Sequence, residues 1–172
     1  MNRKINSNDG IRDLRGTLGL FATGVAIVTA LDQEQQPVGM TINSFSSVSL
    51  TPALVSWCID ERAASYATFA RAKRFALTVL AADQAELALR FATRGADKFR
   101  GIDVDDGQAP VIANACAWFR CESYRSIALG DHRMLVGRIT EFGNNDLQPL
   151  VFRGGQFQQL AAAEALVARA AA

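Results

Sequence analysis

The chain has 172 residues, 49% hydrophobic and 20% charged, with a formal net charge of +1. That is the size of one domain with enough apolar content to bury a core, which excludes a disordered chain. The basic residues are scattered rather than gathered in a stripe, which argues against nucleic acid as a partner. No apolar run approaches the roughly 20 residues needed to span a bilayer, so no membrane association is expected.

The first residues, Met1 to Asn6, carry charge with no apolar segment behind it, so no secretion signal is expected. Ile11, Leu14, Leu18 and Phe21 recur at helical spacing and predict an amphipathic helix over about 10–22, with Gly24 able to end it. Residues 25–31 are rich in β-branched side chains and predict a strand; the polar run 32–37 is a hairpin turn, and 38–42 is a second strand. A loop dense in small polar residues follows, then a third strand over 53–59 bounded by Pro52 and by Asp60-Glu61. A short helix is expected over 65–72 and a fourth strand over 75–80. Asp83 is placed to cap a helix over 84–91.

Residues 93–110 turn polar and glycine-rich, which reads as a long surface loop, a kind often tied to function. Over 115–124 the pattern alternates, with Ala117, Phe119 and Cys121 on one face. Residues 133–142 and 150–153 read as further strands, and Gly154-Gly155 as a tight turn into 156–160. The alanine-rich end, 161–172, is helical by propensity. Many short strands with hairpin turns and a few helices predict a single domain of mainly β class, an antiparallel barrel with attached helices. No GxGxxG follows a strand, so a Rossmann fold is not expected.

Cys58, Cys116 and Cys121 are odd in number, form no CxxC pair and have only His132 as a companion ligand. They read as reduced, mostly buried thiols of a cytoplasmic protein, with no metal site.

The segment Gly39-Met40-Thr41-Ile42-Asn43-Ser44-Phe45-Ser46-Ser47-Val48-Ser49-Leu50-Thr51-Pro52 has the most to say about chemistry. On its own it reads either as a polar turn capped by its own side chains or as an array of short donors beside exposed amides, suited to a planar ring and its phosphate. Two further motifs follow in order: the loop Arg90-Phe91-Ala92 through Asp97-Lys98-Phe99, and Gly130-Asp131-His132 leading into the strand that starts at Arg133. Together the three resemble the short-chain NAD(P)H:flavin oxidoreductases, the flavin reductase components of two-component flavin-dependent monooxygenases. The resemblance runs from the first helix to about Gln159.

That resemblance implies a split β-barrel of the FMN-binding type, antiparallel and Greek-key-like, with peripheral helices. It implies a homodimer with the flavin at or near the subunit interface, and reduction of FMN or FAD by NADH or NADPH. Reduced flavin would then diffuse to a partner oxygenase. Thr41, Asn43, Ser46 and Ser47 would line the isoalloxazine and ribityl chain, with Ile42 beside them, and the Trp57-Cys58-Ile59 strand end would offer backbone contacts to the ring. Arg62 and Ser65 would bind the flavin phosphate, Phe91 and Ala92 would touch the flavin from the loop side, and Lys98 is a phosphate or adenylate candidate. His132 would be the catalytic residue, beside the nicotinamide, with Asp131 orienting its imidazole.

Each residue has a plainer reading. Arg62 could be a solvated turn cation, Ser65 a helix cap, Phe91 a core residue and His132 a turn residue. Lys98 could pair with Asp97, Asp103, Asp105 or Asp106 at the surface. At the level of the whole protein the alternatives are an FMN-binding electron carrier or cofactor holder without nicotinamide activity, and an oxidase of the pyridoxamine-phosphate type, which shares the barrel architecture.

Overall fold

The computed structural model describes residues 8–102 and 108–160; the helix expected over 161–172 lies outside them. The chain begins with α1 (Asn8–Leu18), β1 (Thr23–Gly24), β2 (Ala26–Leu31), β3 (Pro37–Ile42), β4 (Ser46–Leu50) and β5 (Ala53–Asp60). It continues through α2 (Tyr66–Arg71), β6 (Arg74–Val79), α3 (Ala85–Ala92) and the long strands β7 (Ala117–Leu129) and β8 (His132–Asn144), and closes with β9 (Val151–Arg153) and β10 (Gln156–Gln158).

Seven strands form one antiparallel sheet in the order β3-β2-β6-β7-β8-β5-β4, and β1-β9-β10 form a small second sheet. The two outermost strands of the large sheet, β3 and β4, are consecutive in the chain, with only residues 43–45 between them. Laid flat, strands spaced about 4.8 Å apart would hold those edges roughly 29 Å from one another. The chain from Ile42 to Ser46 reaches at most roughly 14 Å. The sheet therefore has to curl until its edges come within that reach, which makes the expected barrel, left split along the β3/β4 seam.

Ser44 sits in that seam. The pairing of β4 with β5 stops at Ser46↔Ser56. Two residues further along β5, the Ser44 hydroxyl accepts from the Cys58 amide at 3.0 Å and donates to the Cys58 carbonyl at 3.2 Å. A side chain thus stands in for the missing ladder partner and satisfies both backbone groups.

Inside the barrel, Val28, Val55, Ile59 and Leu77 pack around Trp57, whose ring meets Phe69 and Phe75 edge-on at 5.1 and 5.9 Å. Outside it, α3 covers β2 and β3, and Ala88 and Phe91 join Val25, Ile27, Leu80 and Leu150 in a second cluster. This double cover is why β2 is buried on both faces. Two buried threonines tie down the chain after the long loop: Thr29 donates to the Pro110 carbonyl at 2.6 Å, and Thr78 accepts from the Ile112 amide at 3.2 Å.

Some expectations change. The first helix ends at Leu18 rather than near 22, because the turn breaks at Gly19, whose carbonyl accepts the Gly154 amide at 2.7 Å. Gly24, expected as the helix stop, pairs with Val151 in the small sheet. Residues 46–50, expected as loop, form an edge strand with a bulge between Ser47 and Ser49. Asp83 does not cap α3. Gln84 takes the N-cap position without a capping bond, and its amide accepts from the Ala81 N–H and donates to the Ala113 carbonyl. The strands read as 115–124 and 133–142 extend into a hairpin of 13 residues on each side, turning at Gly130 with φ of 63°.

Candidate functional site

A cleft of about 720 Å³ opens between the outer face of β3, the turn that leads into α2, and the loop after α3. Its floor depends on a missing side chain. On β3, a Cβ at Gly39 would lie 2.6 Å from Phe91 Cε1 and 3.1 Å from Phe99 Cζ, so only glycine lets those rings seat against the strand. Phe91 is fully buried and meets Phe99 edge-on at 5.1 Å.

Lys98 forms one wall. Its ammonium donates to the Gly39 carbonyl at 3.0 Å, and partial burial pulls its pKa below the usual lysine value. Of the carboxylates expected to pair with Lys98, Asp103, Asp105 and Asp106 lie outside the described residues, and Asp97 makes no ion pair with it, the loop turning the ammonium inward onto β3. Thr41 lies nearby, its hydroxyl donating to the Ala88 carbonyl at 2.6 Å, so only its lone pairs face a ligand. Ala92 completes this side.

Arg62 and Ser65 form the facing wall. Asp60 grips Arg62 at two points, accepting from Nε at 3.1 Å and from Nη2 at 2.8 Å, and its Oδ1 also accepts the Arg62 amide at 2.8 Å. That hydrogen-bonded guanidinium holds the Asp60 carboxyl well below the usual carboxylate range. Ser65 occupies the N-cap position of α2 but makes no capping bond; its hydroxyl meets only the Met40 sulfur, at 3.5 Å.

His132 opens β8 directly opposite Asp60 of β5. Its Nδ1 lies 2.7 Å from Asp131 Oδ1, a bond that lowers the Asp131 pKa. A carboxylate only accepts, so Nδ1 carries the hydrogen and Nε2 is left for a ligand. The imidazole is about half exposed, and the Asp131 carbonyl accepts the Glu61 amide at 3.1 Å, docking the turn onto the Arg62 wall. His132 is not among the cleft's lining residues; it stands one step beyond Asp60.

The expected site residues fall into three groups. Thr41, Arg62, Ser65, Ala92 and Lys98 surround the cleft, whereas Phe91, expected to touch the flavin, lies behind its floor at 0% exposure, packed on Gly39 and Phe99. Asn43, Ser46 and Ser47 are exposed along the seam, with Cys58 half-buried beside them. Ile42, Trp57 and Ile59 point into the barrel core, 6%, 0% and 1% exposed, so they have no side-chain surface to offer a ligand. The backbone contacts expected of the 57–59 strand end are also narrowed. Trp57, Cys58 and Ile59 all pair with β8, and Ser44 engages the free edge of Cys58. Sequence reasoning quoted Gly39 and Ser44 within the motif without giving either a role, and read Asp60 only as a strand boundary. A glycine inside a strand was the available signal for the first. A network that anchors the turn also went unseen: Arg133 donates to Tyr66 Oη at 2.7 Å and pairs with Glu61 at 3.5 Å.

Among the described residues no three His, Cys, Asp or Glu side chains cluster to hold a metal, and the three cysteines are free. Burial pushes the Cys121 thiol up to about 12, which keeps it protonated and unreactive. No helix of the described residues is long and apolar enough to cross a membrane.

Residues 18–161 match the family described as "Flavin reductase like domain". The chain is 40% identical over 158 residues to the reductase subunit of stachydrine N-demethylase of Rhizobium meliloti, covering 90% of this chain and 68% of that one. It is 40% identical over 155 residues to an FMN reductase (NADH) of Agrobacterium fabrum, covering 89% and 88%. It spans only 51% of the length of a probable flavin reductase of Rhizobium meliloti to which it is 39% identical. Among solved structures, the NADH:FAD oxidoreductase of Streptomyces globisporus, in complex with NAD and FAD fragments, aligns with a TM-score of 0.84 at 33% identity, over 93% of this chain and 98% of that one. The match takes in the barrel, the cleft and the His132 hairpin alike, and the chain belongs to the flavin reductase-like domain family.

Proposed function

We propose that this protein is an NAD(P)H:flavin oxidoreductase that reduces FMN or FAD and releases the product to a partner oxygenase. The observation that carries this reading is the cleft itself. A glycine-floored wall with Lys98 faces a second wall with Arg62 and Ser65, and His132 stands just past the rim. Its volume lies in the range usual for cofactor sites. Three cations, Arg62, Arg94 and Lys98, together with the Ser65 hydroxyl suit a phosphate. The relatives' names add weight, since they include an FMN reductase (NADH) and an NADH-dependent FAD reductase.

Bound together, the flavin and the nicotinamide would supply the hydride-transfer chemistry, which the chain's own side chains lack. The chain's own residues bind and orient. Thr41 accepts an N–H from a ring edge. Arg62, Ser65 and Lys98 donate to a phosphate. His132, held by Asp131, presents Nε2 as an acceptor for an amide N–H of the nicotinamide. Mixing the protein with NADH or NADPH and FMN, FAD or riboflavin, and following the nicotinamide absorbance, tests the reading. No combination turning over above the enzyme-free rate would sink it; flavin binding without turnover would favour the carrier alternative.

The working unit is a homodimer of single-domain subunits in the cytoplasm. Support for the dimer comes from apolar side chains left open: Leu18 and Phe21 are 66% and 77% exposed, and Val48 and Leu50 on edge strand β4 are 53% and 92% exposed. Light scattering that returned a monomer mass with flavin present would count against it. The free thiols suit a reducing compartment.

A further inference from the structure

Among the described residues both arginines at the Arg62 turn already have a carboxylate. Asp60 holds Arg62 and Glu61 holds Arg133, while Asp131 fixes the His132 ring. Lys98, across the cleft, has none among the described residues. An arginine binds phosphate best through two parallel N–H groups, and at Arg62 the pair formed by Nε and Nη2 is directed at Asp60. The guanidinium is not buried for structural reasons, since its side chain is 80% exposed. Nor is the carboxylate needed for charge to shape the turn. The bond from the Arg62 amide to Asp60 Oδ1, and that from the Ala63 amide to the Asp60 carbonyl, need only an oxygen.

We propose that Asp60 is a specificity-determining counter-charge that weakens the grip of Arg62 on the flavin phosphate and so keeps phosphorylated flavins exchangeable. This rests on the reading of Arg62 as a phosphate ligand. A phosphate approaching Arg62 competes with a carboxylate already seated in the fork, and the same carboxylate repels it at short range. A flavin without phosphate is indifferent to both effects. The pair therefore sets the ratio between affinity for FMN and affinity for riboflavin, and it suits an enzyme whose reduced flavin has to leave.

The test is Asp60→Asn, which retains the oxygen that accepts the Arg62 amide and removes the charge. Dissociation constants for FMN and for riboflavin are read from flavin fluorescence at low and high salt. The FMN constant should fall about 3–10-fold, as removal of one exposed like charge predicts. The riboflavin constant should stay unchanged, and the FMN gain should shrink as salt screens the site. Adding Arg62→Met to Asp60→Asn should abolish the gain. Unchanged or weakened FMN binding in Asp60→Asn, or a parallel gain for riboflavin, overturns the proposal. Arg62→Met in the native background separates the two levels. If it leaves the FMN-to-riboflavin ratio unaltered, the phosphate role of Arg62 fails and the counter-charge role with it. If it lowers the ratio while Asp60→Asn has no effect, only the counter-charge role fails.

Discussion

The two walls of the cleft are built on different physical terms. The Lys98 wall rests on buried packing: Phe91 is fully enclosed, fills the space left at Gly39, and sits on the element that Thr41 also bonds. The Arg62 wall rests on ion pairs among side chains that are mostly solvent-exposed. Packing is stiff and indifferent to salt, whereas exposed pairs are weak, screened and easily exchanged for a ligand. One wall fixes where a ring can lie, and the other can trade its internal partners for those of an arriving anion.

Cutting the packed wall should have the largest effect. Phe91→Ala removes a buried ring from the cluster under α3 and should cost about 3–5 kcal/mol of stability, read as a lower urea midpoint. A loss below about 1 kcal/mol would mean that the wall is not held by packing.

The exposed wall should respond in kinetics rather than in folding. His132→Ala should lower kcat/KM for the nicotinamide roughly 10–100-fold while flavin affinity and the melting temperature stay near native values. A destabilised variant with normal nicotinamide kinetics would make His132 a turn residue only.

The smallest effect separates Lys98 from Arg62 by pH. Burial lowers the Lys98 pKa, so its charge is present below that lowered value and is lost as pH rises through it. FMN affinity of the native protein should therefore decline at alkaline pH sooner than an ordinary lysine would dictate, and Lys98→Met should abolish that decline. The same alkaline decline in Lys98→Met would assign it to another group.

Much of the barrel was legible because its strands carry strong local patterns: residues 25–31 and 53–59 are apolar runs between turn signals, close to the observed β2 and β5. β4 was not, because Ser46-Ser47-Val48-Ser49 has loop composition and becomes a strand only by pairing with β5 at the sheet edge. Tertiary pairing overrode local preference there. In the site, the motif residues were found but their roles were not separable by sequence. Thr41 and Ile42 are neighbours in the chain, yet strand alternation turns one to the cleft and the other to the core. The fate of Lys98 was hidden for a related reason. Its chain neighbours are acidic, but its partner is a carbonyl brought close only by the fold. Asp60 looked like punctuation at a strand end, and only the antiparallel register places it between Arg62 and His132.

The β7–β8 hairpin has a consequence for how the chain reaches its native state. Among the described residues it is the ladder that joins the β3-β2-β6 half of the large sheet to the β5-β4 half, through β6·β7 on one side and β5·β8 on the other. Each half can form locally from its own hairpin, but neither can be locked to the other until residues 117–144 are available. On a ribosome, at about 5–20 residues per second, β4 and β5 wait several seconds with an open strand edge. Such long-range pairing slows closure. The barrel's keystone is therefore the last of its large-sheet strands to be synthesised, and the turn at Gly130-Asp131 that positions His132 is also the point on which assembly of the two halves depends.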